Sequence, residues 1–388
     1  MSVQERSSLG SIGTSIFSTF TRLAEEHGAI NLAQGFPDFM PPAELIDGAV
    51  EAMRSGANQY APPIGIPELR HEISRHARDE HGMQYDPDTE VTVTVGTTEA
   101  IWSTVLALIE PGDEAIVIDP CYEQYGPAVA IAGGIPRYVP VSPFPEFRLD
   151  LDRIERTFNN RTRIVFLNTP TNPTGRVLSA EELRAIGELA DRYDAYIVSD
   201  EAYENITYDG CEHLPVAADP LCRPRTITAS SVSKTFSATG WRIGWFLAPA
   251  ELSGVVRKVH QFVVFSAPQP LQRGAAAMFA AAHGTDYYDR LKAEYAERRD
   301  ALIPYLREAG LTIGEAPKGG YFIMTRCASD DDQGFCKELI QRARVAPIPG
   351  SLFYCGDQTN GTGLVRFAFC KKVETLREAG ERLVAATG

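Results

Sequence analysis

Lys234 stands in the stretch Thr228-Ala-Ser-Ser-Val-Ser-Lys-Thr-Phe-Ser-Ala-Thr-Gly-Trp-Arg-Ile-Gly244. Small hydroxyl residues surround it, and Arg242 follows between Trp241 and a second apolar run. Lysine attacks carbonyls when its neighbours keep the amine partly neutral. Hydroxyls and a guanidinium beside it suit a phosphate, because a planar fork of donors matches phosphate oxygens. The stretch therefore reads as strand, exposed loop, strand, bringing an amine to an aldehyde while a phosphate is held nearby. A Ser/Lys-rich surface loop would share the Ser-x-x-Lys, but not its continuation through Thr-Gly-Trp-Arg-x-Gly.

Other residues could complete such a site. Val91-Thr-Val-Thr-Val95 reads as a strand running into Gly96-Thr-Thr-Glu99 and an apolar helix to Ile109. A strand, a glycine and a helix N-terminus can present backbone N–H groups to an anion, with Thr97 and Thr98 as further donors. Most such turns bind nothing. Asp200 and Tyr203 directly follow the strand Ala195 to Ser199. A carboxylate there can hold a proton on a ring nitrogen or simply cap a helix. Tyr122 ends the strand Ala115 to Ile118, where it can stack on a planar ring or pack in the core. Arg366 alternates with Leu364 and Ala368 on one strand face and suggests a bidentate clamp for a carboxylate.

Together these stretches resemble the class I aminotransferases, fold type I pyridoxal 5'-phosphate enzymes. The resemblance covers nearly the whole chain. It rests on the lysine motif, on Asn172-Pro-Thr-Gly175 matching Asn-Pro-x-Gly, on Asp200-x-x-Tyr203 and on Val365-Arg-Phe367. It implies that Lys234 carries the cofactor as a Schiff base, with Ser231, Arg242, Thr97 and Thr98 on its phosphate. It places Tyr122 against the pyridine face, and Asn172 and Tyr203 on the phenolic oxygen. Asp200 would sit on the pyridine nitrogen, and Arg366 would hold the substrate α-carboxylate. Gly35, in Gln34-Gly-Phe-Pro37, would bring its backbone close to that carboxylate, although the turn also reads as a plain strand end. Tyr60 would reach the phosphate of a neighbouring subunit, making a homodimer with shared sites; in its Pro/Gly-rich loop it could equally be packing. The branch of kynurenine/glutamine, methionine and succinyl-diaminopimelate aminotransferases is most similar, through Asn31-Leu-Ala-Gln-Gly-Phe-Pro-Asp38, Gly56-Ala-Asn-Gln-Tyr60 and Ser237-Ala-Thr-Gly-Trp-Arg-Ile-Gly-Trp245. Two positions depart from it: Cys121, where most relatives carry an aromatic, and Thr171, commonly histidine.

The expected reaction moves the amino group of an L-amino acid to a 2-oxo acid, with Lys234 as the proton carrier. Only one carboxylate arginine is identified. The stretch Gln261 to Ser266, with Phe265, is apolar, and Phe17 falls at an aromatic pocket position of the branch. An unpaired carboxylate there would cost several kcal/mol, so donors of the methionine, glutamine, phenylalanine or kynurenine type are expected. The alternatives are β-elimination on cysteine conjugates, succinyl-diaminopimelate or aspartate transamination, or another pyridoxal reaction of a dedicated biosynthetic pathway.

The elements that must position these residues alternate strand and helix over 42–285. That predicts an α/β domain whose mostly parallel seven-stranded sheet is flanked by helices. Residues 1–41 form an arm belonging to a smaller α+β domain completed by 286–388. The proposed cofactor residues follow strands, where open α/β sheets bind ligands. Glu68 to His81 reads as a charged surface helix, with His71, His76 and His81 solvated and no metal site. The chain has 388 residues, 44% hydrophobic, enough for a large core. Its net charge of -14 speaks against a nucleic-acid or anionic-membrane surface. No apolar run reaches membrane-spanning length, and residues 1–8 show no secretory signal. Seven scattered cysteines with no Cys-x-x-Cys suggest reduced thiols and a cytoplasmic setting.

Overall fold

The structure, a computed structural model, describes residues 6–10 and 12–387, so most of the stretch read for a leader lies outside the described residues. A seven-stranded sheet runs in the spatial order Val91–Thr94, Gly244–Leu247, Thr226–Ser231, Tyr196–Asp200, Thr162–Asn168, Glu114–Asp119, Ile135–Pro140. Gly244–Leu247 is antiparallel to the strand on either side of it, and the remaining pairs are parallel. The central strands are buried on both faces, which is why they read as unbroken apolar runs rather than alternating ones.

Register decides where the chemistry gathers. Asn168 pairs with Asp200 and Asp200 with Ala229, so two strands end level and Thr226–Ser231 runs two residues further, toward Lys234. Gly244 lies opposite both Thr94 and Ser231. That brings the helix Gly96–Leu108 and the Lys234 segment to one edge of the sheet.

A second sheet orders Ile348–Pro349, Leu364–Ala368, Phe322–Arg326 and Thr312–Ile313, antiparallel throughout. Its core includes Phe20 and Leu32 from the N-terminal segment. Ile30–Asn31 pairs in parallel with Val345–Ala346, which ties the start of the chain to its end. The long helix Tyr287–Glu308 and the closing helix Val373–Thr387 cover this sheet.

The helices expected over Glu68 to His81 and up to Ile109 run Pro67–His81 and Gly96–Leu108. At Ser179 the side chain accepts from Glu182 N, and Glu182 accepts from Ser179 N, as the capping box requires. Two expectations fail. The segment around Lys234 is not an exposed loop: Ser230 to Ser233 are buried and Val232–Thr235 makes one helical turn. The second concerns the histidines of Pro67–His81. Only His71 is exposed; His76 is buried and His81 is largely covered. Five residues apart they would not share a face of an ideal helix, but His81 ends the helix at the left-handed Gly82. Glu204 then meets both from the loop after Asp200, with Nε2–Oε distances of 3.9 and 3.5 Å. The helix Leu151–Thr157, capped by Asp150, was not foreseen.

Candidate active site

The strand ends open into a cleft of about 460 Å³. Phe17, Gly35, Thr97, Thr98, Tyr122, Asn172, Asp200, Tyr203, Ser231, Lys234 and Arg242, all singled out by sequence, line it together.

Lys234 sits at the end of the helical turn, its Nζ 5.7 Å from the Tyr203 ring centre and 5.6 Å from that of Tyr321. Desolvation, with help from the Arg242 and Arg366 charges, brings its pKa down to about 8. An amine so placed is partly neutral near neutral pH and can attack an aldehyde.

Asp200 is buried, and desolvation pushes its pKa up. Two donors hold its charge: Tyr125 Oη to Oδ2 at 2.8 Å and Ala202 N to Oδ1 at 3.2 Å. Tyr125 escaped the sequence reading. It lies three residues past Tyr122, at the start of the helix Tyr125–Ala132, and only the packed fold shows that it faces Asp200. Asn168 was also missed. Its Nδ2 donates to Asp200 O and its Oδ1 accepts from Asn172 N, so it ties the end of the Asp200 strand to the turn that carries Asn172.

The anion end is built by Arg242, whose Nη2 donates to Thr98 Oγ1 at 3.3 Å. Gly96 has φ +73, and a Cβ there would stand 2.3 Å from Arg242 Nη2, so glycine makes room for the guanidinium. Thr97 Oγ1 and Ser233 Oγ are buried and have no partner. Both residues line the cleft beside the helix N-terminus. Unpaired hydroxyls, an arginine and helix N–H groups form a cradle that fits a phosphate.

Arg366 is fully buried just behind the cleft wall. Nη1 donates to Asn172 Oδ1 at 2.6 Å, Nη2 donates to Ala33 O, and Nε is unpaired. Its Cζ lies 3.9 Å from the Phe322 ring centre, 4.5 Å from that of Phe353 and 5.3 Å from that of Phe17. Desolvation lowers its pKa to about 9. Gly35 is needed for packing within the chain: a Cβ there would come 2.6 Å from Tyr321 Cε2 and 2.9 Å from Phe322 Cζ. Tyr321 Oη donates to Gly35 O.

Tyr60 and Phe265 are not in this cleft. Tyr60 is 84% exposed, and the two rings pack edge to face at 5.0 Å. Glu123, which the sequence gave no reason to single out, lines the cleft mouth and accepts from Ser15 Oγ and Ile16 N, clamping the helix that carries Phe17.

Against known proteins, the family profile described as aminotransferase class I and II matches residues 27–383. The chain belongs to this family. It is 39% identical over 381 residues to the methionine aminotransferase of Escherichia coli strain K12, covering 97% of each chain. It is 34% identical to human kynurenine–oxoglutarate transaminase 1 over 400 residues, 94% of each. The solved structure of the N-succinyldiaminopimelate aminotransferase of Mycobacterium tuberculosis superposes with a TM-score of 0.94 at 40% identity, covering 99% of this chain and 100% of that one. The aminotransferase is thus a fold type I, pyridoxal-phosphate-dependent enzyme, and the cradle and the low-pKa lysine fit that cofactor.

Proposed function

We propose that this aminotransferase takes neutral, medium-sized or aromatic L-amino acids, with a 2-oxo acid as acceptor. The observation that carries the reading is the lining of the cleft. Phe17, Phe36, Tyr122 and Phe322 supply its apolar walls, and Glu123 is a carboxylate at its mouth. Lys234 and Arg242 are its cations among the described lining residues, one at the amine position and one at the phosphate cradle. A substrate with a side-chain carboxylate would meet Glu123 with no cation left over, at a cost of several kcal/mol on the order of an unpaired buried charge.

In this reading Thr97, Thr98, Ser231, Ser233 and Arg242 hold the phosphate, and Asp200 keeps the ring nitrogen protonated. Asn172 and Tyr203, both on the cleft lining, would hold the cofactor's phenolic oxygen. When bound, pyridoxal 5'-phosphate supplies the aldehyde that takes up the amino group and a ring that withdraws electrons from the substrate. Arg366, through Asn172 and its own remaining N–H groups, orients the α-carboxylate. Lys234 removes the proton from the substrate Cα and gives it back in the reverse half.

The reading includes a homodimer in the cytoplasm. Tyr60, Phe262, Val263 and Phe265 form an exposed apolar patch that a second copy would cover, bringing Tyr60 to the partner's phosphate and Phe265 to its substrate. It also divides the chain into an arm over 1–41, a cofactor domain over 42–285 and a smaller domain over 286–388, supported by the two separate sheets. The test is the ratio of kcat/KM for methionine or phenylalanine to that for aspartate. A ratio well above one is expected; a ratio below one overturns the substrate class.

A further inference from the structure

Two thiols meet at the wall of the cleft, outside the catalytic machinery. Cys121 directly precedes Tyr122, whose ring lines the cleft. Cys355 lies far along the chain, just past the turn Gly350–Phe353. Their Sγ atoms stand 3.8 Å apart. Cys121 is buried and Cys355 is exposed.

The backbone around the pair is already locked in place. Cys121 N donates to Phe353 O at 2.9 Å. Asp119 accepts from Cys355 N at 3.2 Å and from Gly356 N at 2.7 Å. A bridge needs the sulfurs at about 2.05 Å, so the pair must close by under 2 Å, and the backbone hydrogen bond between Cys121 and Phe353 passes part of that movement to Tyr122 and Phe353. A metal is a poorer occupant. Asp119 reaches both sulfurs within 4.8 Å, but the three groups fall short of the four ligands of a structural metal site.

We propose that Cys121 and Cys355 form a peroxide-responsive dithiol site, whose oxidation ties the Tyr122 wall to the turn that carries Phe353. The exposed Cys355 thiol meets the oxidant first. A peroxide ROOH transfers one oxygen to its sulfur, giving Cys355 sulfenic acid and ROH. Cys121 sulfur then attacks the Cys355 sulfur. The S–S bond forms, the S–O bond breaks, and the hydroxide leaves with the Cys121 proton as water. Asp119 is the group placed to carry that proton, since burial raises its pKa to about 6. The adjacent Cys355 thiol and burial hold Cys121 protonated at rest, so the pair is stable until Cys355 is oxidised.

The bridge has consequences for the site. Phe353 packs on both Arg366 and Phe17, and Phe17 packs on Tyr122 with ring centres 5.9 Å apart. Drawing the sulfurs together shifts both sides of this aromatic wall. Displacements near 1 Å at a site can cost up to roughly a hundredfold in rate.

The test uses the purified holoenzyme treated with hydrogen peroxide, then alkylated under denaturing conditions. The protein has seven free cysteines, and five should remain, seven less the two in the bridge. Digestion should yield a Cys121–Cys355 cross-linked peptide that dithiothreitol abolishes. The Cys355→Ser variant should keep its six thiols and its reduced-state activity. The kcat/KM of the oxidised wild-type enzyme should drop about tenfold and return with dithiothreitol, while the variant stays unchanged. Oxidation of Cys355 to sulfinic or sulfonic acid without a cross-link, or a bridge to another cysteine, overturns the proposed site. A Cys121–Cys355 cross-link with unaltered kcat/KM overturns its connection to the cleft.

Discussion

Arg366 Nη1 donates to Asn172 Oδ1 across 2.6 Å, joining residues 194 positions apart. Taking up the amide oxygen leaves Asn172 Nδ2 as the free donor. The guanidinium is thereby aimed from the second sheet at the strand ends of the first. Buried between Phe322 and Phe353, it keeps its charge among aromatic faces. Lysine cannot span these partners, because it has one donor point rather than a fork. Arg366→Lys should lower kcat/KM by about 2–3 kcal/mol, or roughly 30- to 150-fold. Steady-state kinetics on the best donor checks this, and an effect below threefold would remove Arg366 from carboxylate binding.

Tyr125 holds Asp200 by the same logic one strand away. Its hydroxyl lowers the pKa of a carboxylate that burial raises. Tyr125→Phe should weaken the charge on Asp200 and cut kcat by roughly tenfold or more, the worth of one hydrogen bond to a charged group. KM should change little, because the charge matters most in the transition state. A raised KM with unchanged kcat would count against the role given to Asp200.

Lys234 sets a pH dependence. Its pKa is depressed to about 8, so the amine is protonated below that value and free above it. The rate at which the cofactor-free protein takes up pyridoxal 5'-phosphate covalently should rise with pH and level off above about 8. Lys234→Ala should lose the covalent attachment and transamination while still folding. A rate that keeps rising toward the ordinary lysine value of 10.5 would show an unperturbed amine.

Glu204 underlies the site without entering it. It pairs with His81, is near His76, and accepts from Ser230 Oγ at 2.7 Å. Burial raises its pKa, but His81 outweighs that and takes it down to about 2. Burial also works against the His81 charge, and Glu204 outweighs it, so the His81 pKa is raised. The carboxylate's contribution is full above its ordinary value of 4.5 and lost as pH falls toward about 2. The imidazolium's contribution is full below 6.5 and lost as pH rises through its raised value. Glu204→Gln should therefore cost about 3–5 kcal/mol, the usual loss on breaking a buried pair. The cost should be greatest between pH 4.5 and 6.5. His76, neutral down to about 4, opposes folding below 6.5 in both proteins and leaves that difference in place. Denaturant unfolding at several pH values checks it; a flat difference would mean that the pair is not ionised.

The sequence by itself determined the chemistry and the element order. Lys234, Asp200, Asn172 and Arg242 each follow or flank an apolar run, and such runs are legible because central parallel strands must be apolar on both faces. Contacts set by register were decided only in three dimensions. Tyr125 reaches Asp200, Asn168 reaches Asp200 from the neighbouring strand, and Glu204 turns His76 and His81 inward, across separations that no local periodicity encodes. A pattern along the chain tells which face of an element is apolar. Which polar side chains then meet depends on how strands align and where helices end, as at His81 and Gly82, and that is a property of the packed structure alone.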